Sequence, residues 1–522
     1  MMITIPEMLA RNARMYPDDC ALVEVKPSRN YRREMTWRQM DDEANRVANA
    51  LIEMGVKKGD RVIQWMMNSI DWLIAYFGIL RSGAWVVPLN FRFTGADFLY
   101  CAEISGARFM IIGEEFIDRV ELVKKQLRGV EGILAFGDNL PGDMTGFHAW
   151  IDRRPTSRPH VDISRDEACS LYFTSGTTGA PKPILLTHDN LRCAAITEYA
   201  HHRQEKSDNF VLIPPLYHTG SKMHWFGSLI TGGKATLLGE VNPRSILETV
   251  HKERGTIVWL LVPWAHDILV ALEDGQVKKE DYDLSCWRLM HIGAQPVPPS
   301  LVKRWMEFFP GMQYDTNYGL SESSGPGCVH LGIENIHKVG AIGKAGFNWE
   351  TRIVGEKGEL LEDGKIGELA VRGEGVMKEY YKNPEKTAEA LRDGWLFTGD
   401  MARLDEDGFI YLVDRKKDVI ITGGENIFPV EVEDAIHNLQ SVNDVAVIGV
   451  SDERLGEIAV AVVDPRAGTS ISEAEIIEYC KNNLARHKVP RKVIFGKVPR
   501  NPTGKIEKPA LREKYKQVNT AG

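Results

Sequence analysis

The sequence predicts an α/β protein with a large, multi-layered N-terminal region and a small α+β C-terminal region. Three observations carry this. Helical and strand-like hydrophobic periods alternate through the first two thirds of the chain. Short β segments with tight turns take over near residue 350. A charged run, Asp414-Arg415-Lys416-Lys417-Asp418, then precedes a segment with its own β and α pattern, long enough for a separate domain. The expected division is 1–414 and 415–522.

Asp41–Met54 carries apolar residues at helical spacing and stops at Gly55. Arg61–Trp65 reads as a strand, Trp72–Leu80 as a helix and Val86–Leu89 as a strand, an alternation that suggests layers around largely parallel sheets. Beyond Arg352, the turns Glu362-Asp363-Gly364, Asp393-Gly394 and Glu406-Asp407-Gly408 separate short strands, and Phe409–Val413 is a further apolar strand. In the last segment Val445–Val450 and Ile458–Val463 are strand-like, and Ser472 with Glu475 forms a capping box for the next helix.

With 522 residues, 43% hydrophobic and 26% charged, the chain has the composition of an ordinary globular protein and is too long for one core. Its 64 basic and 72 acidic residues give a net charge of −8, which disfavours nucleic acid or an anionic membrane as partner. An anionic ligand must therefore be held by a local site. Seven dispersed cysteines with no CxxC pair fit reduced thiols in a cytoplasmic protein rather than disulfides or a cysteine zinc site. The first residues lack a signal-peptide pattern, and the most apolar stretch, Ile257–Ala265, is too short to cross a bilayer. Oligomeric state is left open, a homodimer included.

The strongest local signal runs from Ser170 to Lys182. An apolar strand enters Thr174-Ser175-Gly176-Thr177-Thr178-Gly179-Ala180-Pro181-Lys182. Glycines let backbone N–H groups approach phosphate oxygens, hydroxyls add donors, and a lysine neutralises charge. An ordinary polar surface loop has the same composition. The Walker pattern GxxxxGK[ST] is absent, which disfavours a P-loop kinase or ATPase.

This run resembles the phosphate loop of the adenylate-forming superfamily of acyl- and aryl-CoA synthetases, luciferases and peptide-synthetase adenylation domains. One departure is Pro183, where the family usually has glycine; proline stiffens the loop's exit. Further motifs follow in family order over nearly the whole chain. Tyr318-Gly319-Leu320-Ser321-Glu322 is similar to YGxTE, which implies adenine packing for Tyr318, α-phosphate contact for Ser321 and Mg²⁺ binding for Glu322, with Asn317 at the adenine edge. Gly293 and Ala294 match a small-residue wall, although Ile292 and Gln295 depart from it. Trp395–Asp400 resembles the ribose motif, with Asp400 accepting from the ribose hydroxyls and Arg415 reaching ribose and phosphate. Taken singly, Glu322 and Asp400 read as a surface and a turn carboxylate.

The resemblance further implies that Lys505, after Pro502-Thr503-Gly504, bridges the substrate carboxylate and the α-phosphate. Taken alone it is a solvated turn lysine. A cation between two reacting anions offsets their repulsion, and the acid needs no general base, being ionised already. Thr174, Glu322 and His218 complete the catalytic set. Lys417 matches the hinge about which the small domain rotates between half-reactions, and Gly423, Gly424 and Glu425 the lining of the coenzyme A tunnel. His218, Trp225, Trp259 and Gly293 are the expected acyl pocket, with Phe226 and Trp264 nearby; bulky indoles favour a medium-sized, branched, cyclic or aromatic acid.

The implied activity is AMP-forming ligation of a small-molecule carboxylic acid to coenzyme A, using ATP and Mg²⁺, by a large adenylation domain and a mobile C-terminal domain carrying the catalytic lysine. Alternatives are delivery of the acyl group to a carrier protein, a luciferase-like oxidase, and a non-catalytic nucleotide-binding relative.

Overall fold

The computed structural model describes residues 3–174, 181–294, 297–500 and 506–516. Local signals set the first elements. Thr36 accepts from the Gln39 amide and starts the helix Trp37–Glu53, four residues earlier than expected, because Trp37 and Met40 extend its buried stripe. Ser69 caps the helix Ile70–Arg81, which is apolar apart from Asp71 in its first turn, Tyr76 and Arg81 at its end. The strands Arg61–Trp65 and Trp85–Pro88 lie parallel beside each other.

Among the described residues the strands form four sheets. A nine-stranded sheet has Ile257–Leu261, Leu289–Gly293 and Gln313–Tyr318 side by side and parallel. An eight-stranded sheet holds Arg61–Trp65, Trp85–Pro88 and Ala168–Thr174, also parallel, with Lys182–Thr187 antiparallel to the last. The helices Ile70–Arg81, His188–His202 and Thr219–Thr231 contribute to the core shared by the two sheets, where Trp72, Phe77, Leu191 and Trp225 are fully buried. Mostly parallel sheets need crossovers; Ile70–Arg81 and Thr219–Thr231 each supply one, and His188–His202 carries the chain from one sheet to the other.

After residue 348 the pattern becomes antiparallel: Trp349–Val354, Gly367–Gly373, Trp395–Leu404 and Ile410–Arg415 build a five-stranded sheet with Leu391–Arg392. A last sheet pairs Val442–Asp452 with Gly456–Pro465 and is covered by the helices Pro429–His437 and Glu473–Asn483. Ser472 and Glu475 make the expected capping box.

The charged run differs from a plain solvated turn. Asp414 and Asp418 are buried; Asp414 accepts from the amide of Val430 at 2.9 Å and Asp418 pairs with Arg512 at 2.7 Å. Buried carboxylates need such partners, so this stretch is tied to the C-terminal helices rather than left in solvent. Lys416 and Lys417 are its exposed members. The seven cysteines are free thiols. Among the described residues no helix is long and apolar enough to cross a membrane.

Candidate active site

The site residues gather where strands end, at the carboxyl side of the parallel sheets, which is where α/β folds leave a crevice. Thr174 ends one strand and faces Lys182, the first residue of the next, across an antiparallel pair. Both ends of the phosphate loop are thereby held in register; Ser175, Gly176, Thr177, Thr178 and Gly179 lie outside the described residues, as do Gln295 and Lys505. Pro183 sits inside the second strand, its carbonyl accepting from the Tyr381 amide at 2.9 Å.

Lys182 Nζ lies 5.9 Å from the ring centre of Tyr380. Tyr380 in turn donates its hydroxyl to Glu322 Oε1 at 2.8 Å. Burial, then the nearby Lys386, draws the Lys182 ammonium below its usual pKa. The positive loop terminus and the Glu322 carboxylate thus share one aromatic partner. Tyr380 belongs to none of the motifs, and nothing near it in sequence marks it as a partner of a residue 58 positions away.

The nucleotide motifs converge. Tyr318 donates to Asp400 Oδ2 at 2.6 Å, and Arg415 Nε stands 3.3 Å from Asp400 Oδ1. Asp400 and Arg415 are cross-strand neighbours, so the sheet itself sets their spacing. Burial, then the Asp400 charge, pushes the Tyr318 phenol well above its usual range, so it stays a donor. Asp400, foremost, holds the Arg415 guanidinium more firmly protonated. Ser321 Oγ is 3.0 Å from Thr219 Oγ1, which ties the YGxSE loop to the start of the helix Thr219–Thr231.

Gly319 is required by contact rather than by φ. A Cβ there would lie 2.5 Å from the Pro326 carbonyl oxygen and 2.7 Å from that of Gly325. Gly319→Ala is expected to destabilise the protein by about 1–3 kcal/mol through backbone displacement, read as a lowered melting temperature together with a raised KM for ATP.

A second wall adjoins this array. Gly293 ends its strand, with Asn317 Oδ1 3.4 Å from where its Cβ would be, and Ala294 takes a left-handed φ of 70°, a strained value for a residue with a side chain. Asn317 Nδ2 contacts His224 Nε2 at 2.9 Å, and the His224 ring stacks on Trp259 with centroids 4.3 Å apart. Gly220 brings the helix backbone onto the Trp259 ring, where an added Cβ would meet it at 3.1 Å. His218 is the N-cap of the same helix and accepts from the Gly220 amide at 3.3 Å.

Two expectations for this wall need correction. Trp225 has no exposed surface; it packs edge-on to Phe77 at 6.4 Å and beside Phe226 at 6.0 Å, so it is helix-to-helix core and lines no accessible pocket. Trp264 is half-buried against the core on the other face of the nine-stranded sheet. His224, which no motif singles out, is the residue of this helix that reaches Asn317 and Trp259. Its only signal in the sequence is the i, i+4 spacing from Gly220, which puts the two on one helix face.

Gly423 and Gly424 form a two-residue hairpin turn, with φ of 58° and 89°, between Thr422 and Glu425. Glu425 is exposed.

Comparison with known proteins fits this geometry. The AMP-binding enzyme family matches residues 9–381, and the AMP-binding enzyme C-terminal domain matches residues 431–505. The chain belongs to the AMP-binding enzyme family. This AMP-binding enzyme is 32% identical to the long-chain-fatty-acid–CoA ligase FadD13 of Mycobacterium tuberculosis, over 97% of this chain and 98% of that one. It is 34% identical to a feruloyl-CoA synthase of Amycolatopsis, over 97% and 98%. Its fold matches a crystal structure of the anthranilate CoA ligase AuaEII with anthranoyl-AMP at a TM-score of 0.88, with 28% identity over 98% and 97% of the two chains. Its reaction class is that of an AMP-forming acid–thiol ligase, with ATP and coenzyme A as co-substrates.

Proposed function

We propose that this enzyme activates a medium-sized branched, cyclic or aromatic acid as its acyl-adenylate and passes the acyl group to coenzyme A. The observation that carries the size of the acid is the Trp259–His224 stack, closed against Gly220 and beside Gly293. Two flat rings without flexible chains would give the acid site a short, rigid wall. Relatives whose names specify feruloyl and anthranilate fit such a pocket; a relative named for long-chain fatty acids makes chain length the property to test.

In the first half-reaction Asp400 and Arg415 hold the ribose end of ATP, with Tyr318 and Asn317 against the adenine. The loop from Thr174 through Ser175, Gly176, Thr177, Thr178 and Gly179 to Lys182 cradles the outer phosphates. His218, Gly293 and Ala294 border the acid, and Lys505 lies between its carboxylate and the α-phosphate. Glu322, a half-buried oxygen donor oriented by Tyr380, suits Mg²⁺, which would neutralise charge on the departing pyrophosphate. Residues 415–522 then turn about Lys417 relative to 1–414, and Gly423, Gly424 and Glu425 line the path of the thiol. The carbonyl carbon gains the C–S bond and loses AMP.

The test is AMP release with Mg·ATP and coenzyme A across short, medium, long, cyclic and aromatic acids. Turnover is expected to peak with ring-bearing or branched acids; a maximum with acetate or palmitate overturns the pocket reading. Trp259→Ala is expected to move the preference toward bulkier acids by about 10-fold in kcat/KM.

A further inference from the structure

Behind the adenine wall lies a buried cluster that the ligase reaction does not use. The helix His188–His202 supplies Glu198 and His202, the strand Leu289–Gly293 supplies His291, the strand Gln313–Tyr318 supplies Asp315, and Val329–His330 supplies His330. All five side chains have no exposed surface. His291 and Asp315 are directly paired across their strands.

Four of their atoms converge. His202 Nε2 is 3.1 Å from His291 Nδ1 and 3.2 Å from Asp315 Oδ2. Asp315 Oδ2 is 3.2 Å from His330 Nδ1 and 3.7 Å from His291 Nδ1. Nitrogen and oxygen ligands held roughly 2.0–2.1 Å from a tetrahedral zinc ion stand about 3.3–3.4 Å from one another. These four separations lie near that spacing, and the ligand atoms of His202, Asp315 and His330 all lie within 4.8 Å of one another, as do those of Glu198, His202 and His291.

The surroundings choose between metal ligation and hydrogen bonding. Asp315 Oδ1 is fixed by the amide of Gly332 at 3.0 Å, which turns Oδ2 toward the imidazoles. The second nitrogens of two of the rings both face Glu198: His202 Nδ1 at 3.1 Å and His330 Nε2 at 3.6 Å. Yet His202 Nδ1, His330 Nε2 and His291 Nε2 are buried without a hydrogen bond of acceptable geometry, while Glu198 interacts with the Gly327 amide and the Asn317 side chain. Buried ring nitrogens left without partners in this way are costly. Ligation through His202 Nε2 and His330 Nδ1 fixes both tautomers so that N–H points at Glu198 from each ring, the usual carboxylate support of metal-bound histidine. A divalent ion also balances the charge of Asp315.

We propose that His202, His291, Asp315 and His330 form a structural site for a zinc-class divalent cation, with Glu198 as the outer carboxylate. The three imidazoles exclude Mg²⁺ and Ca²⁺ as natural occupants, since those ions take oxygen ligands. This site is separate from the nucleotide Mg²⁺ and needs no cysteine. Bound there, the ion would pin the strands that end at Gly293 and Tyr318, and so the wall that adenine meets.

The test is metal analysis of the full-length chain, purified without a metal-chelating tag and dialysed against a weak chelator. About one first-row transition metal ion per chain is expected. Metal-stripped protein titrated with Co²⁺ is expected to develop the intense visible absorption of a tetrahedral Co²⁺ centre, saturating at one equivalent. Asp315→Asn and His330→Gln are expected to lose both signals; because either variant can fail to fold, the wild-type Co²⁺ spectrum decides the matter by itself. Wild-type protein that holds no metal after purification and gives no visible Co²⁺ bands overturns the proposal and leaves a proton-only network.

Discussion

Lys505→Ala is expected to slow acyl-adenylate formation by about 10²–10³-fold while leaving thioester formation from supplied acyl-adenylate within a few-fold of wild type. The asymmetry follows from charge. In the first step a carboxylate approaches a phosphate, and the ammonium is the group that offsets their repulsion as the new P–O bond forms. In the second step the nucleophile meets a carbonyl and AMP leaves, so that cation has no comparable task. Pyrophosphate exchange reads the first step, and single-turnover thioester formation from synthetic acyl-adenylate reads the second. Equal loss in both would remove Lys505 from its assigned role and would count against the rotation of residues 415–522 as the event separating the steps.

Asp400→Ala is expected to lower kcat/KM for ATP by about 10²-fold and to cost roughly 1–3 kcal/mol of stability. The side chain accepts from the buried Tyr318 hydroxyl and faces Arg415. Deleting it strands a buried donor and a guanidinium at once, in addition to removing the proposed acceptor for the ribose. Asp400→Asn separates these effects. Its amide oxygen still accepts from Tyr318, so stability should largely return, whereas the charge that attracts Arg415 does not. The asparagine variant is therefore expected to melt near wild type and still bind ATP poorly. Full recovery of ATP affinity in that variant would mean that Asp400 serves the sheet and not the nucleotide.

Much of this site could be read from the chain itself because its determinants are local. The helix start at Ser472 follows from its capping box with Glu475, whereas the caps at Thr36 and Ser69, each bonded to an amide three residues on, set starts earlier than the apolar period alone suggested. The strand Arg61–Trp65 follows from a short apolar run between turns. The candidates from Thr174 to Lys505 form contiguous motifs, whose chemistry is legible wherever the fold puts them.

What only the tertiary structure decided are relations between distant segments. Tyr318 meets Asp400 across two different sheets, and Glu322, in a single turn, meets Tyr380 on a strand of a third; no local period encodes either contact. The helix Thr219–Thr231 is buried nearly all round, so its pattern could not tell which side faced the ligand; packing turned His224 toward Asn317 and Trp225 into the core. The five residues of the proposed metal site stand on a helix and three strands, and each alone reads as an ordinary buried polar residue. Local sequence determines elements and motif chemistry, because hydrogen bonding and hydrophobic period act over a few residues. Which side chains share a cavity is decided by sheet register and helix orientation, which the whole core settles together.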